Sequence, residues 1–319
     1  MPANGHEPRG TAATPRTRVL RTQALTKRYG DLTALDSLDL ELERGEIFGL
    51  IGPNGAGKTT TMRLLLDLIR PTSGSLELLG QDPRVGGAAL RRRIGYLPGE
   101  LHLEGRGSGR ELLEHFARIS GPVAPGAIDA LAERLGVDLK RQPRKLSKGN
   151  KQKLGLIQAF QHEPELLILD EPTSGLDPLV QKEFLSLIEE AAAKGQTVLL
   201  SSHVLSEIDR AADRVAVLHQ GRLVRLGSLA DLRLDSHRRV LATLRASPER
   251  VRERLPGALA AGLSATEVDG DTRLEGNVDD VDALVKALAV FEVRALVVSE
   301  PVLEDTILAL YGRGEEARR

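Results

Sequence analysis

Residues 52–59 read GPNGAGKT, which fits the pattern G-x-x-x-x-G-K-[ST] of a phosphate-binding loop. The loop follows Ile47–Ile51, a run that is apolar on both faces and predicts an interior strand. A predicted helix over residues 59–69 comes next. Consecutive backbone N–H groups at a helix N-terminus form a cradle for anions, and glycines let the backbone approach a phosphate closely. We therefore expect nucleotide phosphates to bind here, with Lys58 on the β- and γ-phosphates and the Thr59 hydroxyl on Mg²⁺.

Two carboxylates end a second apolar strand, which the sequence predicts over residues 166–169. The carboxyl ends of parallel strands face the ligand crevice of such a sheet. We expect Asp170 to hold Mg²⁺ through water and Glu171 to orient and deprotonate a water that attacks the γ-phosphate. The alternative interpretation is a pair of solvated acids at a strand end. The phosphate loop upstream favours the functional interpretation.

The composition excludes several classes of function. The chain has 319 residues, 41% of them hydrophobic and 28% charged, which is typical of a soluble globular protein long enough for two domains. A net charge of −1 gives no overall attraction to nucleic acid or to an anionic membrane. The absence of cysteine excludes disulfides and cysteine-bound zinc, and 3% aromatic residues argue against a base-stacking surface. No apolar run is long enough to span a bilayer, so membrane work would require a partner.

The pattern along the chain predicts an α/β domain over residues 18–235. Leu38, Leu40 and Leu42 alternate with acids and predict a half-buried strand. Residues from about 100 to 160 are predicted to be mostly helical, and strands then alternate with helices as in a parallel sheet covered by helices. Residues 1–17 lack the apolar segment of a signal peptide and are predicted to form a disordered tail.

Residues 236–315 are predicted to form a second, smaller α+β domain. Their pattern has the order βαββαβ of a ferredoxin-like domain. The predicted elements are strand 239–244, helix 248–255, strands 263–268 and 271–275, helix 279–289, strand 291–298 and helix 301–311.

A third motif lies between the phosphate loop and the acid pair, and a fourth lies after the acid pair. Residues 146–150 read LSKGN, and His203 lies in the segment LLSSHVLSE. In this order, the four elements resemble the nucleotide-binding domain of ATP-binding-cassette (ABC) ATPases, over about residues 18–235. The resemblance implies a P-loop NTPase fold of ABC type with a helical subdomain at about 100–160. A phosphate loop alone is shared with kinases and GTPases, whereas the Leu-Ser-x-Gly signature is discriminating.

The resemblance also implies a role for each matching position. Tyr29 would stack on adenine, and Ser147 and Gly149 would contact the γ-phosphate bound to the opposite subunit. Residues 174–177 would couple the two ATP sites of a dimer. His203 would contact the γ-phosphate as a switch. The predicted catalytic residues are Lys58, Glu171 and His203, and the predicted Mg²⁺ ligands are Thr59 and Asp170. The predicted nucleotide-binding residues are Tyr29, Gly52, Pro53, Asn54, Gly55, Ala56, Gly57, Lys58, Thr59, Thr60, Ser147, Gly149 and Asp177.

Three positions depart from the family pattern. The family usually has a glutamine that reaches Mg²⁺ after the strand carrying IGYLP, whereas this chain has Gly99 followed by Glu100. Glycine has no side chain to bind a metal, so Glu100 or water would have to serve. The signature carries Lys148 and Asn150 in place of the commonest residues.

Seven basic residues fall between positions 140 and 153. We interpret them as a solvated helix face, because no aromatic residues are interleaved with them. The alternatives are a positively charged edge that attracts nucleotide or a surface patch that binds nucleic acid. They are Lys140, Arg141, Arg144, Lys145, Lys148, Lys151 and Lys153.

The implied function is that of the ATP-binding and ATP-hydrolysing subunit of an ABC transporter. Two copies, or one copy with a related ATPase subunit, would enclose ATP and Mg²⁺ and drive a separate polytopic membrane permease. The chain would then be cytoplasmic and peripheral on the inner face of the cell membrane. Residues 301–312 resemble the closing helix of the accessory domain on multidrug and antibiotic export motors. Export of a drug-like or antibiotic compound is therefore the expected task.

Two other classes of function remain as alternatives. A soluble ABC-type ATPase could act on DNA or ribosomes, but relatives of that kind carry a long coiled-coil insertion, zinc-binding cysteines or two cassettes in one chain. A phosphoryl-transferring kinase is the third possibility. The signature loop, and the acid pair followed by His203, count against it.

Overall fold

The computed structural model describes residues 17–103, 107–202, 204–234 and 238–299. The chain divides into two compact units, Met1–Leu226 and Gly227–Arg319. The division falls at Gly227, whereas the sequence pattern placed the domain boundary after residue 235. His203, the predicted helix 301–311 and all but the last residue of the predicted tail lie outside the described residues.

The first unit alternates strands and helices after an antiparallel start. Its elements are β1 (Arg18–Tyr29), β2 (Leu32–Glu43), β3 (Ile47–Ile51), α1 (Lys58–Leu65), β4 (Ser73–Leu78), α2 (Pro83–Arg91), β5 (Ile94–Leu97), α3 (Gly109–Ser120), α4 (Ala127–Leu135), α5 (Lys148–Phe160), β6 (Leu166–Asp170), α6 (Pro178–Ala193), β7 (Thr197–Ser202), α7 (Leu205–Ala211), β8 (Arg214–His219) and β9 (Arg222–Ser228). A short 3₁₀ turn at Pro143–Lys145 precedes α5.

A six-stranded sheet forms the centre of this unit in the order β5-β6-β7-β3-β8-β9. The strands from β5 to β8 in that order pair in parallel. All five residues of β3 and all five of β6 are buried, which confirms the interior strands that the apolar runs predicted. The parallel register places Leu50 and Asp170 on opposite sides of Ser201. The carboxyl ends of β3, β6 and β7 therefore lie side by side.

A smaller antiparallel sheet has the order β2-β1-β4. Leu38, Leu40 and Leu42 of β2 are buried while the acids between them face outward, which confirms the predicted alternation. Neither β4 nor α2 was predicted. β4 is mostly exposed and begins Ser-Gly-Ser, a sequence typical of a turn. α2 contains Gly87, whose φ of 54° interrupts the helix, so its local sequence gives a weak helical signal.

Helices α3, α4 and α5 form the predicted helical region. α3 begins with a capping box, in which Ser108 and Glu111 each bind the backbone N–H of the other. α4 ends at Gly136, which adopts the left-handed conformation that glycine tolerates. α5 is preceded by Ser147, whose side chain accepts a hydrogen bond from the backbone N–H of Asn150. The signature Ser147 is thus also a helix cap.

The second unit contains a four-stranded antiparallel sheet in the order β11-β12-β10-β13. Its core gathers the apolar side chains of one sheet face and of α9 and α11, among them Val240, Leu274 and Leu284. The helix α10 was not predicted. The elements are α8 (Leu229–Leu234), β10 (Arg238–Leu244), α9 (Pro248–Arg254), α10 (Gly257–Gly262), β11 (Leu263–Val268), β12 (Asp271–Val278), α11 (Val281–Leu288) and β13 (Val293–Ser299).

Among the helices of the described residues, none combines the length and the apolarity needed to cross a membrane.

Candidate functional site

The loop of residues 52–57 requires glycine at two positions for steric reasons. A Cβ on Gly52 would lie 2.5 Å from the carbonyl oxygen of Leu218, and one on Gly57 would lie 2.8 Å from that of Ala34. Gly57 also has a φ of 105°, which side chains rarely adopt. Helix α1 begins at the next residue, Lys58. The loop therefore has the close backbone path and the helix N-terminus that phosphate binding needs.

Lys58 joins this loop to the acidic end of β6. Its side chain is only 6% exposed, and its Nζ donates a hydrogen bond to the carbonyl oxygen of Gly52 at 2.5 Å. The same Nζ lies 3.4 Å from Oε1 of Glu171. A lysine buried to this degree needs anionic or carbonyl partners, because a charge taken out of water is costly. The structure thus brings together two residues that the sequence separates widely.

Asp170 presents a buried carboxylate at the end of β6. The side chain is 1% exposed, and its Oδ1 accepts a hydrogen bond from Oγ of Ser201 at 2.5 Å. Its Oδ2 is buried and finds no partner among the described residues. A carboxylate oxygen is the ligand type that Mg²⁺ prefers. The donor therefore fits the predicted metal.

Gly99 lies against this same oxygen. A Cβ on Gly99 would be 3.2 Å from Oδ2 of Asp170, closer than side chains usually pack. Burial raises the pKa of the neighbouring Tyr96, and the charge of Asp170 adds to the increase. Glu100, the side chain that could serve where the family has a glutamine, is exposed. The departure from the family pattern therefore lies directly beside the predicted metal ligand.

Glu171 adopts a backbone conformation that is unusual for a side chain other than glycine. Its φ is 50°, in the left-handed region. Its N–H points at Ser201, with the carbonyl oxygen at 3.2 Å and the side-chain oxygen at 3.1 Å. Ser201 thus contacts both acids, a role that the sequence did not reveal. The signal that could have found it is its position at the end of the strand paired with β6.

The signature loop packs on the segment that follows Glu171. A Cβ on Gly149 would lie 2.6 Å from the carbonyl oxygen of Gly175, so only glycine allows this approach. The Nζ of Lys148 donates a hydrogen bond to Oγ of Ser174 at 3.2 Å. Ser147 is exposed, and its Oγ also accepts a hydrogen bond from the Asn150 side chain.

Asp177 caps α6 by accepting a hydrogen bond from the N–H of Val180 at 3.1 Å. This bond lowers the pKa of Asp177 from its usual 3.8, and the charge of Lys153 contributes to the lowering. The Nζ of Lys153 lies 3.6 Å from Oδ2 of Asp177. Lys153 therefore differs from the exposed members of the basic run, Lys140, Arg141, Arg144, Lys145 and Lys148.

The remaining predicted residues have simpler surroundings. Tyr29 ends β1 and is 47% exposed, and the Nζ of Lys27 lies 4.8 Å from the centre of its ring. Thr59 and Thr60 are half-buried in the first turn of α1. The residue before His203, Ser202, ends β7 and is buried.

A second residue that sequence reasoning missed is Gln152. Its side chain is 3% exposed, and its Nε2 donates hydrogen bonds to the carbonyl oxygens of Glu171 and Pro172. A detectable signal was its spacing, because Gln152 lies one helical turn before Leu156 on the buried face of α5. A polar residue on an apolar helix face normally has a specific partner.

Comparison with known proteins gives a consistent result. The ABC transporter family profile matches residues 35–174. The chain is 42% identical over 209 residues to the bacitracin transport ATP-binding protein BcrA of Bacillus licheniformis, covering 65% of this chain and 68% of that protein. It is 36% identical over 300 residues to the daunorubicin resistance ATP-binding protein DrrA3 of Streptomyces coeruleorubidus, covering 90% and 93%. A solved structure of an ATP-binding subunit of an ABC transporter superposes with a TM-score of 0.64 at 33% identity, covering 68% of this chain and 92% of that chain.

Proposed function

The chain belongs to the ABC transporter ATP-binding proteins, and we propose that two copies of it dock head to tail around two ATP·Mg²⁺. Members of this family bind ATP and couple its hydrolysis to transport. The observation that carries the proposal is the meeting of Lys58 and Glu171, with Nζ and Oε1 3.4 Å apart. It unites the phosphate loop and the acidic strand end in one site.

Within each site, the phosphate loop holds the β- and γ-phosphates through its backbone N–H groups, and Lys58 exchanges its carbonyl and carboxylate partners for the phosphates. Glu171 acts as the base that orients and deprotonates the attacking water. Thr59 and Asp170 would hold Mg²⁺, and the buried Oδ2 of Asp170 supports this assignment. When bound, Mg²⁺ neutralises the charge of the β- and γ-phosphate oxygens. Tyr29 stacks on the adenine, and His203 contacts the γ-phosphate.

The other half of each site comes from the partner copy. Ser147 and Gly149 of one copy contact the γ-phosphate that is held by the loop of the other. ATP binding closes the dimer and hydrolysis reopens it, which is a ligand-driven shift between two states. A dimer with a related ATPase subunit would use the same surfaces.

We also propose that this cycle drives a separate polytopic permease and exports a drug-like or antibiotic compound. The names of the relatives, which refer to bacitracin and daunorubicin, support this class of cargo. The chain would then act from the cytoplasm on the inner face of the cell membrane. The second unit would be a ferredoxin-like accessory domain that stabilises the dimer, and its strand order supports that assignment.

Affinity purification of the Glu171→Gln variant from solubilised host membranes, with ATP and Mg²⁺ present, tests the proposal. Loss of the base should trap the closed dimer together with its partner, and mass spectrometry should identify a polytopic membrane protein. The Lys58→Ala/Glu171→Gln double variant is the control, because it should not bind the phosphates and should lose the partner. Recovery of ribosomes or DNA-repair proteins without a membrane partner would favour a soluble ABC-type ATPase instead.

A further inference from the structure

The amide nitrogen of Gln152 donates both of its hydrogens to two backbone oxygens. Its Nε2 donates to the carbonyl oxygen of Glu171 at 3.2 Å and to that of Pro172 at 3.1 Å. An amide nitrogen carries two hydrogens, so both of its donors are occupied. The side chain is 3% exposed, and each buried bond is costly to lose because water does not replace it.

The backbone that Gln152 holds is the strained part of the site. Glu171 has a φ of 50°, a conformation that costs a residue with a Cβ free energy and persists only where its surroundings impose it. Its N–H is fixed by Ser201, and its carbonyl oxygen is fixed by Gln152. The two bonds act on opposite sides of the same residue. Together they determine the direction in which the Glu171 side chain leaves the backbone.

Gln152 lies on the helix that begins with the signature loop. Ser147 caps α5, and Gly149 packs against the carbonyl oxygen of Gly175. Lys148 binds Ser174. The first turn of α5 is therefore in contact with the segment after Glu171 at several points. A displacement of this turn would move the carbonyl oxygens that Gln152 holds.

We propose that Gln152 is a positioning residue for ATP hydrolysis, which ties the backbone of Glu171 to the signature helix of its own chain. When Ser147 and Gly149 engage the nucleotide of the partner copy, the position of α5 sets the direction of Glu171 in the chain's own site. Each copy then hydrolyses ATP efficiently only while its signature loop is occupied. This inference rests on the proposed function.

The Gln152→Met variant keeps the shape of the side chain and removes both hydrogen bonds. For the full-length protein we expect kcat to fall about 10- to 100-fold, because small misplacement of a catalytic group has effects of this size. The KM for ATP should stay within about twofold, since the phosphate loop does not depend on Gln152. A loss of packing alone would not separate kcat from KM in this way.

Gln161 provides a matched control on the same helix. It is 1% exposed and lies at the C-terminal end of α5, where its Nε2 donates to the carbonyl oxygen of Leu113 at 3.2 Å. Gln161→Met therefore removes a buried bond from a glutamine to a backbone carbonyl, far along the helix from Glu171. We expect its kcat to stay within about twofold of the wild type.

The Gln152→Glu variant gives a second test through the pH profile. A buried carboxylate opposite two carbonyl oxygens is repelled, whereas the protonated acid donates one hydrogen bond, and burial raises the pKa of such an acid. Relative to the wild type, kcat should rise as the pH falls from about 8 to about 6. If the side chain at position 152 did not position Glu171, the ratio of the variant's kcat to the wild-type kcat would not change with pH.

The outcomes separate this inference from the proposed function. Equal kcat losses in Gln152→Met and Gln161→Met, or a normal kcat in Gln152→Met, would overturn it. If Gln152→Met does not fold, the pH profile of Gln152→Glu decides, and a ratio independent of pH would overturn it. A wild-type protein without ATPase activity would overturn the proposed function itself, together with this inference.

Discussion

The Nζ of Lys58 lies 3.4 Å from Oε1 of Glu171, so the residue expected to bind phosphate is paired with the residue expected to activate water. The pairing neutralises two charges in a partly buried site. An incoming γ-phosphate would compete with Glu171 for Lys58. ATP binding would thereby release Glu171 for its catalytic role.

The first prediction concerns Glu171→Gln. ATP hydrolysis should fall by at least about 100-fold, the usual effect of losing a general base. ATP should bind about fivefold more tightly, because removal of one negative charge near the phosphates relieves a repulsion of about 1 kcal/mol. Phosphate release and calorimetric titration measure the two effects. The exposed Glu189→Gln serves as the control, and unchanged affinity would contradict the charge argument.

A second prediction concerns the space at Gly99. In Gly99→Ala the new Cβ would lie 3.2 Å from Oδ2 of Asp170 and would displace that carboxylate. We expect the concentration of Mg²⁺ needed for half-maximal hydrolysis to rise about threefold or more, and Mn²⁺ binding in the presence of nucleotide, followed by EPR, to weaken in parallel. Gly257→Ala is the control, because its Cβ would meet no atom within 4 Å. Equal Mg²⁺ requirements in Gly99→Ala and Gly257→Ala would count against a role of the space beside Asp170 in metal binding.

Gly149→Ala is expected to prevent closure of the dimer. Its Cβ would lie 2.6 Å from a backbone oxygen of Gly175, so the signature loop must move away from its present position. In the Glu171→Gln background we expect ATP-dependent dimerisation to weaken at least about tenfold, which corresponds to about 1.4 kcal/mol. Analytical ultracentrifugation with ATP measures this. Gly227→Ala, whose Cβ would meet atoms only at 3.6 Å, should dimerise normally.

Tyr29 should contribute to ATP affinity through its ring alone. Tyr29→Ala is expected to weaken ATP binding about 5- to 100-fold, because stacking of a base on an aromatic ring contributes about 1–3 kcal/mol. Tyr29→Phe keeps the ring and should bind within about twofold of the wild type. Titration with a fluorescent ATP analogue distinguishes the variants. Similar losses in both would show that the hydroxyl, not the ring, matters.

His162 should make the stability of the first unit sensitive to acid. Burial lowers the pKa of His162 from its usual 6.5, so the unfolded chain takes up this proton at a higher pH than the native protein does. The free energy of unfolding should therefore fall as the pH drops through 6.5 towards the native pKa. Urea denaturation at several pH values should show a shallower decline for His162→Gln. Parallel curves for the two proteins would exclude this contribution.

The local pattern of the sequence predicted much of the fold. β11 at Leu263–Val268 begins and ends where the sequence pattern placed it, and α6 at Pro178–Ala193 lies in the stretch where strands and helices were predicted to alternate. Such elements carry a strong signal, since their own apolar spacing and caps define them. β4 and α2 lack that signal. The first is stabilised by pairing with β1, and the second contains a glycine that interrupts it.

The phosphate loop, the acids Asp170 and Glu171 and the signature at Ser147 could be predicted from the sequence, because each is a short pattern of neighbouring residues. That Lys58 pairs with Glu171 and that Ser201 contacts both acids could be known only from the folded chain. The same holds for the hydrogen bonds from Gln152 to the backbone carbonyl oxygens of Glu171 and Pro172. These contacts join residues far apart in the chain. They depend on the register of parallel strands and on the docking of α5, and both of these follow from burial of the whole sheet.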